Sequence, residues 1–269
     1  MERKKKLANA LLCVSAIAMI VTGVLLISAL GGNLRGMAYW QNVARMKETM
    51  GEWTGQNILP RYQSLYEANP DIVGWLTIEG TNYLDLPVMQ TKNEPEHYLR
   101  RNFDDEADPG GTPFADWRCD VVPVKGFNTV IYGHDSAFQW LTDYEYKYWR
   151  TYQEHRIIRF DTLNGEALYE VAAVFYLDAR DAELLDPWDP EHPQAYECYN
   201  YLEVDSPEGF QKFLDSLAER RLYGADAEIT LESHIITLIR CAREPYSGIP
   251  ETDGAVNGRL VVVAVSVPE

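Results

Sequence analysis

Two apolar runs near the C-terminus constrain the fold more than any other part of the sequence. Residues 235–240 are rich in Ile, residues 260–265 are rich in Val, and a loop punctuated by Pro and Gly separates them. Runs of this length and composition, bounded by turn residues, predict β-strands. If the two strands pair as antiparallel neighbours, Cys241 at the end of the first lies beside Arg259 at the start of the second.

A third apolar run, residues 129–132, ends at Gly133 and is followed by His134. The three strand ends therefore present a thiol, a guanidinium and an imidazole. Around one cleft, such groups can activate a nucleophile, transfer a proton and stabilise an oxyanion. The alternative for Cys241 is a small buried apolar side chain, because free cysteines are among the most buried residues.

Other short apolar runs predict a mainly β domain from Asn69 onward. These runs are Gly74–Ile78, Leu86–Met89, Val121–Val124, Thr129–Tyr132, Arg156–Phe160 and Tyr169–Tyr176. With the last two runs they make about eight strands, which favours a barrel or a sandwich over a parallel sheet. Helices are predicted at the aromatic-rich segment Trp140–Trp149 and at Ser206–Leu222, where Ser206 is a preferred N-cap and Pro207 fits the first helical position.

The first thirty residues predict a membrane anchor. Leu7–Leu30 contains no charged residue, and a helix of that length would be about 36 Å long, enough to cross a hydrocarbon core of ~30 Å. The basic residues within 1–6 place the N-terminus inside and the following domain outside the cell. A cleaved signal peptide is the alternative, although its apolar region usually has only about 7–15 residues.

The sequence therefore divides into four predicted segments. Residues 1–6 are a cytoplasmic basic tail, 7–30 the transmembrane anchor, 31–68 a helical linker and 69–269 the catalytic β domain. Within the linker, apolar residues near helical spacing predict one helix, and Pro60 begins a second.

The net charge of the chain bears on what the protein can bind, and its cysteine content bears on whether it has a free thiol. The net charge is −17, and because residues 1–6 carry a balance of +3, the rest of the chain carries −20. Such an acidic domain argues against binding to nucleic acid phosphates.

Three cysteines lie outside the apolar segment, Cys119, Cys198 and Cys241, and an odd number in an exported domain predicts at least one free thiol.

The sequence contains no closely spaced Cys and His pairs of the kind that bind zinc, and we expect no metal or other cofactor. The histidines other than His134 lie in charged or loop contexts and are predicted to be surface or capping residues. They are His97, His155, His192 and His234.

In their order along the chain, several segments resemble the sortase family and are most similar to class B sortases. They are Asn69–Leu76, Gly80–Thr81, Leu86–Gln90, Tyr98–Leu99, Gly110–Asp116, Ile131–His134, Thr237–Cys241 and Asn257–Leu260. The resemblance implies a sortase-like eight-stranded β-barrel with N-terminal helices. It also implies one inserted helix before the cysteine strand, which matches Ser206–Leu222.

By the same resemblance, Cys241 is the nucleophile, His134 the acid/base and Arg259 the group that steadies the substrate and the oxyanion. The family cleaves a C-terminal sorting motif of exported proteins through a thioacyl-enzyme. It transfers the acyl group to an amine, which is supplied by a cell-wall precursor such as a lipid-linked peptidoglycan unit or by a pilin lysine.

The chain departs from the family pattern near the nucleophile. Arg240 stands where the family usually has threonine, and Asp135 follows His134 where class B members often have asparagine. In an extended strand the side chain of Arg240 points away from that of Cys241. Both Glu251 and Asp253 are candidates to support Arg259.

Two other functions compete with this interpretation. A membrane-tethered, non-catalytic interaction or assembly module on a degenerate sortase barrel is best supported by Arg240. The wall-linking L,D-transpeptidases also use Cys and His, but their Ser-His-Gly-x-x-x-Cys pattern is not present in this sequence.

Overall fold

The structure, a computed structural model, describes residues 15, 18–19, 21–23, 36–48, 57–78, 84–134, 138, 141, 155–178, 201–242 and 258–268. For residues 176–178, 241–242 and 258 it describes the backbone alone. The chain divides into two compact units, Met1–Arg45 and Met46–Glu269. The second unit contains all of the strands described below.

Eight strands close into a barrel. They are β1 (Ile72–Ile78), β2 (Asp85–Met89), β3 (Phe114–Ala115), β6 (Asn128–Gly133), β7 (Ile157–Thr162), β8 (Leu168–Asp178), β9 (Ile235–Ala242) and β10 (Gly258–Ser266). Their order around the barrel is β1-β2-β3-β6-β9-β10-β8-β7. The remaining two strands, β4 (Asp120–Val121) and β5 (Val124–Lys125), form a separate small hairpin. The predicted eight-stranded, mainly β barrel is therefore confirmed.

One predicted strand is wrong. Val121–Val124 is not a barrel strand, because Val122 and Pro123 form the turn between β4 and β5. Proline has no backbone N–H and favours turns, so the apolar run is interrupted in its middle. The eighth barrel strand is instead β3, whose two residues bridge β2 and β6.

The pairing of β6, β9 and β10 determines how the predicted site residues are arranged, because these strands lead to His134, Cys241 and Arg259. Strands β9 and β10 are antiparallel over eight residue pairs, as the sequence predicted. Strand β6 lies on the other side of β9 and is parallel to it. A parallel pair requires a long crossover connection, and here the chain between the two strands forms β7, β8 and the last helix.

The two helices predicted within residues 31–68 are present as α1 (residues 36–46) and α2 (Pro60–Ala68). On α2, Tyr62 stacks on Trp75 of β1 with ring centroids 6.4 Å apart. The Tyr62 hydroxyl donates a hydrogen bond of 2.6 Å to Asp161 of β7, which is 2% exposed. Burial raises the pKa of Asp161, so this partner lowers the cost of placing a carboxylate beneath the helix.

The third helix, α3 (Pro207–Arg220), begins as the sequence predicted. Ser206 is its N-cap, and the Ser206 hydroxyl accepts a hydrogen bond of 3.1 Å from the Gly209 N–H. The helix buries Phe213 and Leu217, and Phe213 contacts Phe127, the residue that precedes β6. The inserted helix therefore packs beside the start of the strand that leads to His134.

The chain that leaves α3 runs along β8. Leu222 and Ala225 donate backbone hydrogen bonds to carbonyls of β8, and Tyr223 forms a bridge to Val174. Gly224 has a φ of 154°, and a Cβ at that position would overlap the Ala172 carbonyl oxygen. Only glycine permits this close approach.

Two predicted helical segments fall largely outside the described residues. Within Leu7–Leu30, residues 15, 18–19 and 21–23 are described, and they are helical. Among all described residues, no helix has the length and apolarity needed to span a membrane. Trp140–Trp149 is described only at Leu141.

Candidate active site

The register of three neighbouring strands brings the predicted site residues together. Cys241 of β9 is directly opposite Arg259 of β10. On the other side of β9, Gly133 of β6 pairs with Arg240. His134 is the next residue after β6, so it follows at the level of Cys241. The backbone therefore places Cys241 between His134 and Arg259 at one end of the sheet.

The three residues also share one face of the sheet. Residues paired across strands lie on the same face, and residues two apart along a strand do so as well. Tyr132 pairs with Ile239, which assigns His134 and Cys241 to the same side. Arg259 joins them because it pairs with Cys241. The Cys241 side chain lies outside the described atoms, so the placement rests on the backbone register.

His134 occupies a tightly packed turn. Its carbonyl accepts a hydrogen bond of 2.9 Å from the Phe138 N–H. A Cβ on Gly133 would overlap the Phe138 ring, so only glycine leaves room for this ring beside the strand end. The His134 Nδ1 atom is buried and has no hydrogen-bond partner among the described residues. The imidazole is thus held by packing rather than by a described polar contact.

A polar network on the same face was missed by the sequence reasoning. Asp116, which follows β3, is 4% exposed. Its carboxylate accepts hydrogen bonds of 3.0 Å from the Tyr132 hydroxyl and of 2.9 and 2.7 Å from the Arg118 guanidinium. Tyr132 precedes His134 by two residues, so the network fixes the strand that carries His134. Asp116 lies in Gly110–Asp116, one of the segments that resemble the sortase family, but no local sequence pattern connects it with Tyr132.

Burial alone would raise the pKa of Asp116. The hydrogen bonds from Arg118 and Tyr132, together with the guanidinium charge, outweigh burial and lower the pKa. The ionised carboxylate is therefore the form that the fold stabilises.

Cys119 is a buried free thiol away from the three strand ends. Its sulfur lies 3.7 Å from the Asn128 carbonyl oxygen and 3.5 Å from the Val130 nitrogen. Burial raises the pKa of Cys119 to about 12. Because a thiolate is the reactive form, this cysteine is expected to be inert at neutral pH.

The described histidines other than His134 have ordinary partners. His97 lies between Glu94 at 2.7 Å and Asp105 at 2.6 Å. His234 contacts Thr129 at 3.1 Å, before the start of β9 and thus at the end of that strand opposite Cys241. In the described part of the chain, no group of three His, Cys, Asp or Glu residues could bind a metal.

Known proteins resemble this chain in both sequence and structure, although no family model matches it. Sortase B from Staphylococcus aureus is 29% identical over 215 residues, which cover 78% of this chain and 75% of the relative. The structure of the Staphylococcus aureus sortase B–substrate complex covers 87% of this chain and 97% of its own, with 25% identity and a TM-score of 0.66. The chain is thus similar to class B sortases in both sequence and fold.

A second sortase B structure, complexed with triglycine, is 26% identical and has a TM-score of 0.66. It covers 87% of this chain and 98% of its own. The class B similarity inferred from the ordered motifs is therefore confirmed at the level of both sequence and fold. This similarity supports a cysteine transpeptidase of the sortase type rather than an L,D-transpeptidase.

We predict that Asp116→Asn destabilises the protein by about 1–3 kcal/mol near pH 7, because it removes the charge that Arg118 and Tyr132 hydrogen-bond. The folded-state pKa of Asp116 lies below its unfolded value. Its stabilisation is therefore fully present above the unfolded pKa, about 3.9, and is lost as the pH falls through the lowered pKa. Chemical denaturation of both proteins across pH should show the difference shrinking in acid.

Asp120→Asn is the matched control, because Asp120 is half exposed and pairs with Lys92 at 3.1 Å on the surface. Such pairs contribute at most about 1 kcal/mol. A loss for Asp116→Asn that is the same at neutral and acid pH would contradict the assignment.

Proposed function

We propose that Cys241 is the nucleophile of this sortase, His134 its proton donor and acceptor, and Arg259 its oxyanion-stabilising group. The observation that supports the proposal most strongly is the register, in which Cys241 lies opposite Arg259 and level with His134. Cys119, the other described cysteine, is buried and has a raised pKa. Burial and the raised pKa argue against Cys119 as the reactive thiol.

In the first half-reaction, the Cys241 thiolate attacks the carbonyl carbon of the scissile amide. The carbonyl oxygen becomes an oxyanion, which the always-charged guanidinium of Arg259 stabilises. The tetrahedral intermediate collapses when the C–N bond breaks. The protonated imidazole of His134 gives its proton to the leaving amine, and a thioester on Cys241 remains.

In the second half-reaction, an acceptor amine attacks the thioester carbon. Neutral His134 removes the proton from the attacking nitrogen, and Arg259 again stabilises the oxyanion. Collapse of the second intermediate expels the Cys241 thiolate and forms a new amide bond. The residues thus return to their starting protonation states without any cofactor.

The proposed donor is a C-terminal sorting motif of an exported protein, and the proposed acceptor is an amine. Two observations on relatives support these classes. The Staphylococcus aureus sortase B structure is a complex with substrate, and another sortase B structure is a complex with triglycine. A cell-wall precursor and a pilin lysine both offer a suitable amine, and both remain candidates for this chain.

We also propose that residues 7–30 anchor the enzyme in the membrane, with the barrel outside the cell. The support is the uncharged length of this segment and the basic residues that precede it. Full-length protein should stay in the membrane pellet after a high-salt wash, and protein without residues 7–30 should not. A mature N-terminus near Gly32 would contradict an uncleaved anchor.

Three substitutions should separate the proposed roles. Cys241→Ala should abolish transpeptidation, because no other group supplies the covalent intermediate. His134→Ala should cost nearly as much, since groups that act as a unit give non-additive losses. Arg259→Lys should reduce kcat/KM about 10²–10³-fold, because an ammonium cannot replace the planar fork of donors.

The measurement uses fluorogenic peptides from the C-terminal segments of exported proteins encoded beside this chain, with triglycine as the acceptor. Cys119→Ala is the matched cysteine control and should keep full activity. Joined product formed by Cys241→Ala would overturn the assignment of the nucleophile. Absence of product from the unsubstituted protein would favour a non-catalytic role for the barrel.

A further inference from the structure

His97 lies in the connection between β2 and β3, and both nitrogen atoms of its ring contact a carboxylate. Nδ1 lies 2.7 Å from Glu94, and Nε2 lies 2.6 Å from Asp105. The His97 side chain is 19% exposed, whereas the side chains of Glu94 and Asp105 are 72% and 54% exposed. The ring is therefore enclosed between two carboxylates that remain accessible to water.

These two contacts determine the protonation state of the imidazole. A neutral imidazole carries a proton on only one of its nitrogen atoms, and the other nitrogen is an acceptor. Exposed carboxyl groups are ionised near neutral pH, and an ionised carboxylate can only accept a hydrogen bond. Two hydrogen bonds from His97 to carboxylates thus require the imidazolium form, which donates from both nitrogen atoms.

The electrostatics of the site agree with this geometry. Burial alone would lower the pKa of His97, but the hydrogen bonds to Asp105 and Glu94 outweigh burial and raise the pKa above its ordinary value of 6.5. The folded-state pKa therefore lies above the unfolded one. The stabilisation by the imidazolium is fully present below 6.5 and is lost as the pH rises through the raised pKa.

The backbone holds Asp105 in place for this contact. Asp105 has a φ of 63°, in the left-handed region that Asp and Asn adopt more readily than most residues. Its N–H donates a hydrogen bond of 3.1 Å to the Asn102 carbonyl, and Arg101 donates one of 2.7 Å to the Asp105 carbonyl. The turn brings the Asp105 carboxylate to a ring that lies eight residues earlier in the chain.

The same connection leads to the strand that carries the proposed site. His97 begins a one-turn 3-10 helix, His97–Arg100, whose second residue, Tyr98, is 1% exposed. The Tyr98 carbonyl accepts a hydrogen bond of 3.0 Å from the Thr112 N–H. The chain after Thr112 enters β3, which pairs with β6. Order in the connection is thus transmitted to the border of β6.

We propose that the imidazolium of His97 is a pH-sensitive clasp, which joins Glu94 to Asp105 and closes the segment 94–106. When His97 loses a proton, one ring nitrogen presents a lone pair to a carboxylate oxygen, and the two acceptors repel each other. One of the two contacts then opens. The inference goes beyond the proposed function and does not depend on which residue is the nucleophile.

Other charged and titratable groups surround the clasp. The Arg101 guanidinium also donates to the Asp105 carboxylate at 3.3 Å, and its positive charge opposes protonation of His97. Tyr98 packs edge-on against the imidazole, with ring centroids 5.1 Å apart, and its hydroxyl donates to Asp71, which precedes β1. The remaining charged residues along the connection are Glu96, Arg100, Asp104 and Glu106. All of these groups stay in place when Glu94 or Asp105 is substituted.

The first measurement is an NMR titration of the imidazole nitrogen atoms in the full chain, with histidine labelled with ¹⁵N. Below its midpoint His97 should carry protons on both nitrogen atoms, and the midpoint should lie above 6.5. Glu94→Gln and Asp105→Asn each preserve the shape of the side chain and remove one negative charge. Each should lower the midpoint, because the imidazolium loses a charged acceptor.

The second measurement is hydrogen–deuterium exchange of peptides that cover residues 94–106, corrected for the chemical exchange rate at each pH. Protection should fall about 2–10-fold as the pH rises through the midpoint measured for His97, the size expected for two partly exposed ion pairs. His97→Gln cannot be protonated, so its protection should be low at every pH.

Glu96→Gln is the matched control. Glu96 is exposed and adjacent to His97, and its backbone carbonyl accepts a hydrogen bond of 3.0 Å from the Leu99 N–H. The substitution removes the same charge as Glu94→Gln but leaves both clasp carboxylates in place. It should therefore lower the His97 midpoint less than either clasp variant and should keep the protection of the segment.

Two results would overturn the inference. A midpoint at or below 6.5 in the unsubstituted protein, or one that neither Glu94→Gln nor Asp105→Asn lowers, would show that the carboxylates do not hold the imidazolium. Protection that stays constant through the midpoint would show that loss of the proton does not open the segment. Both readings come from the unsubstituted protein as well as from the variants.

Discussion

The parallel pairing of β6 with β9 is the constraint on which the rest of the structure depends. It sets His134 level with Cys241, and the antiparallel partner β10 then sets Arg259 opposite the same residue. A slip of one residue in either pair would turn a side chain to the other face of the sheet. The long crossover between β6 and β9, which includes α3, is what a parallel pair requires.

Buried polar groups hold this register in place at some distance from the thiol. Asn69 donates hydrogen bonds to the Tyr98 hydroxyl at 2.8 Å and to the Phe103 carbonyl at 2.6 Å, and Tyr98 donates to Asp71 at 2.9 Å. These residues connect the end of α2 with the long connection between β2 and β3. Asp116 then ties the end of that connection to Tyr132 of β6. The family motifs therefore contain structural residues as well as proposed catalytic ones.

Local sequence patterns predicted much of this architecture. They failed for the features that are determined by contacts between residues distant in sequence. The apolar runs indicated the long strands, and Ser206 with Pro207 indicated the start of α3, because those signals lie within a few residues. Strand β3 has only two residues, too few for a period to be read. The bond between Asp116 and Tyr132 spans 16 positions and depends on strand pairing, so no local pattern predicts it.

The central claim is that Cys241 carries an acyl group during turnover. The most direct measurement is mass spectrometry of the protein after incubation with a peptide library and no acceptor amine, followed by proteolysis. A thioester on the peptide that contains Cys241, lost on treatment with hydroxylamine and absent from His134→Ala, is the predicted result. A hydroxylamine-sensitive adduct on Cys119 or Cys198, with Cys241 unmodified, would contradict it.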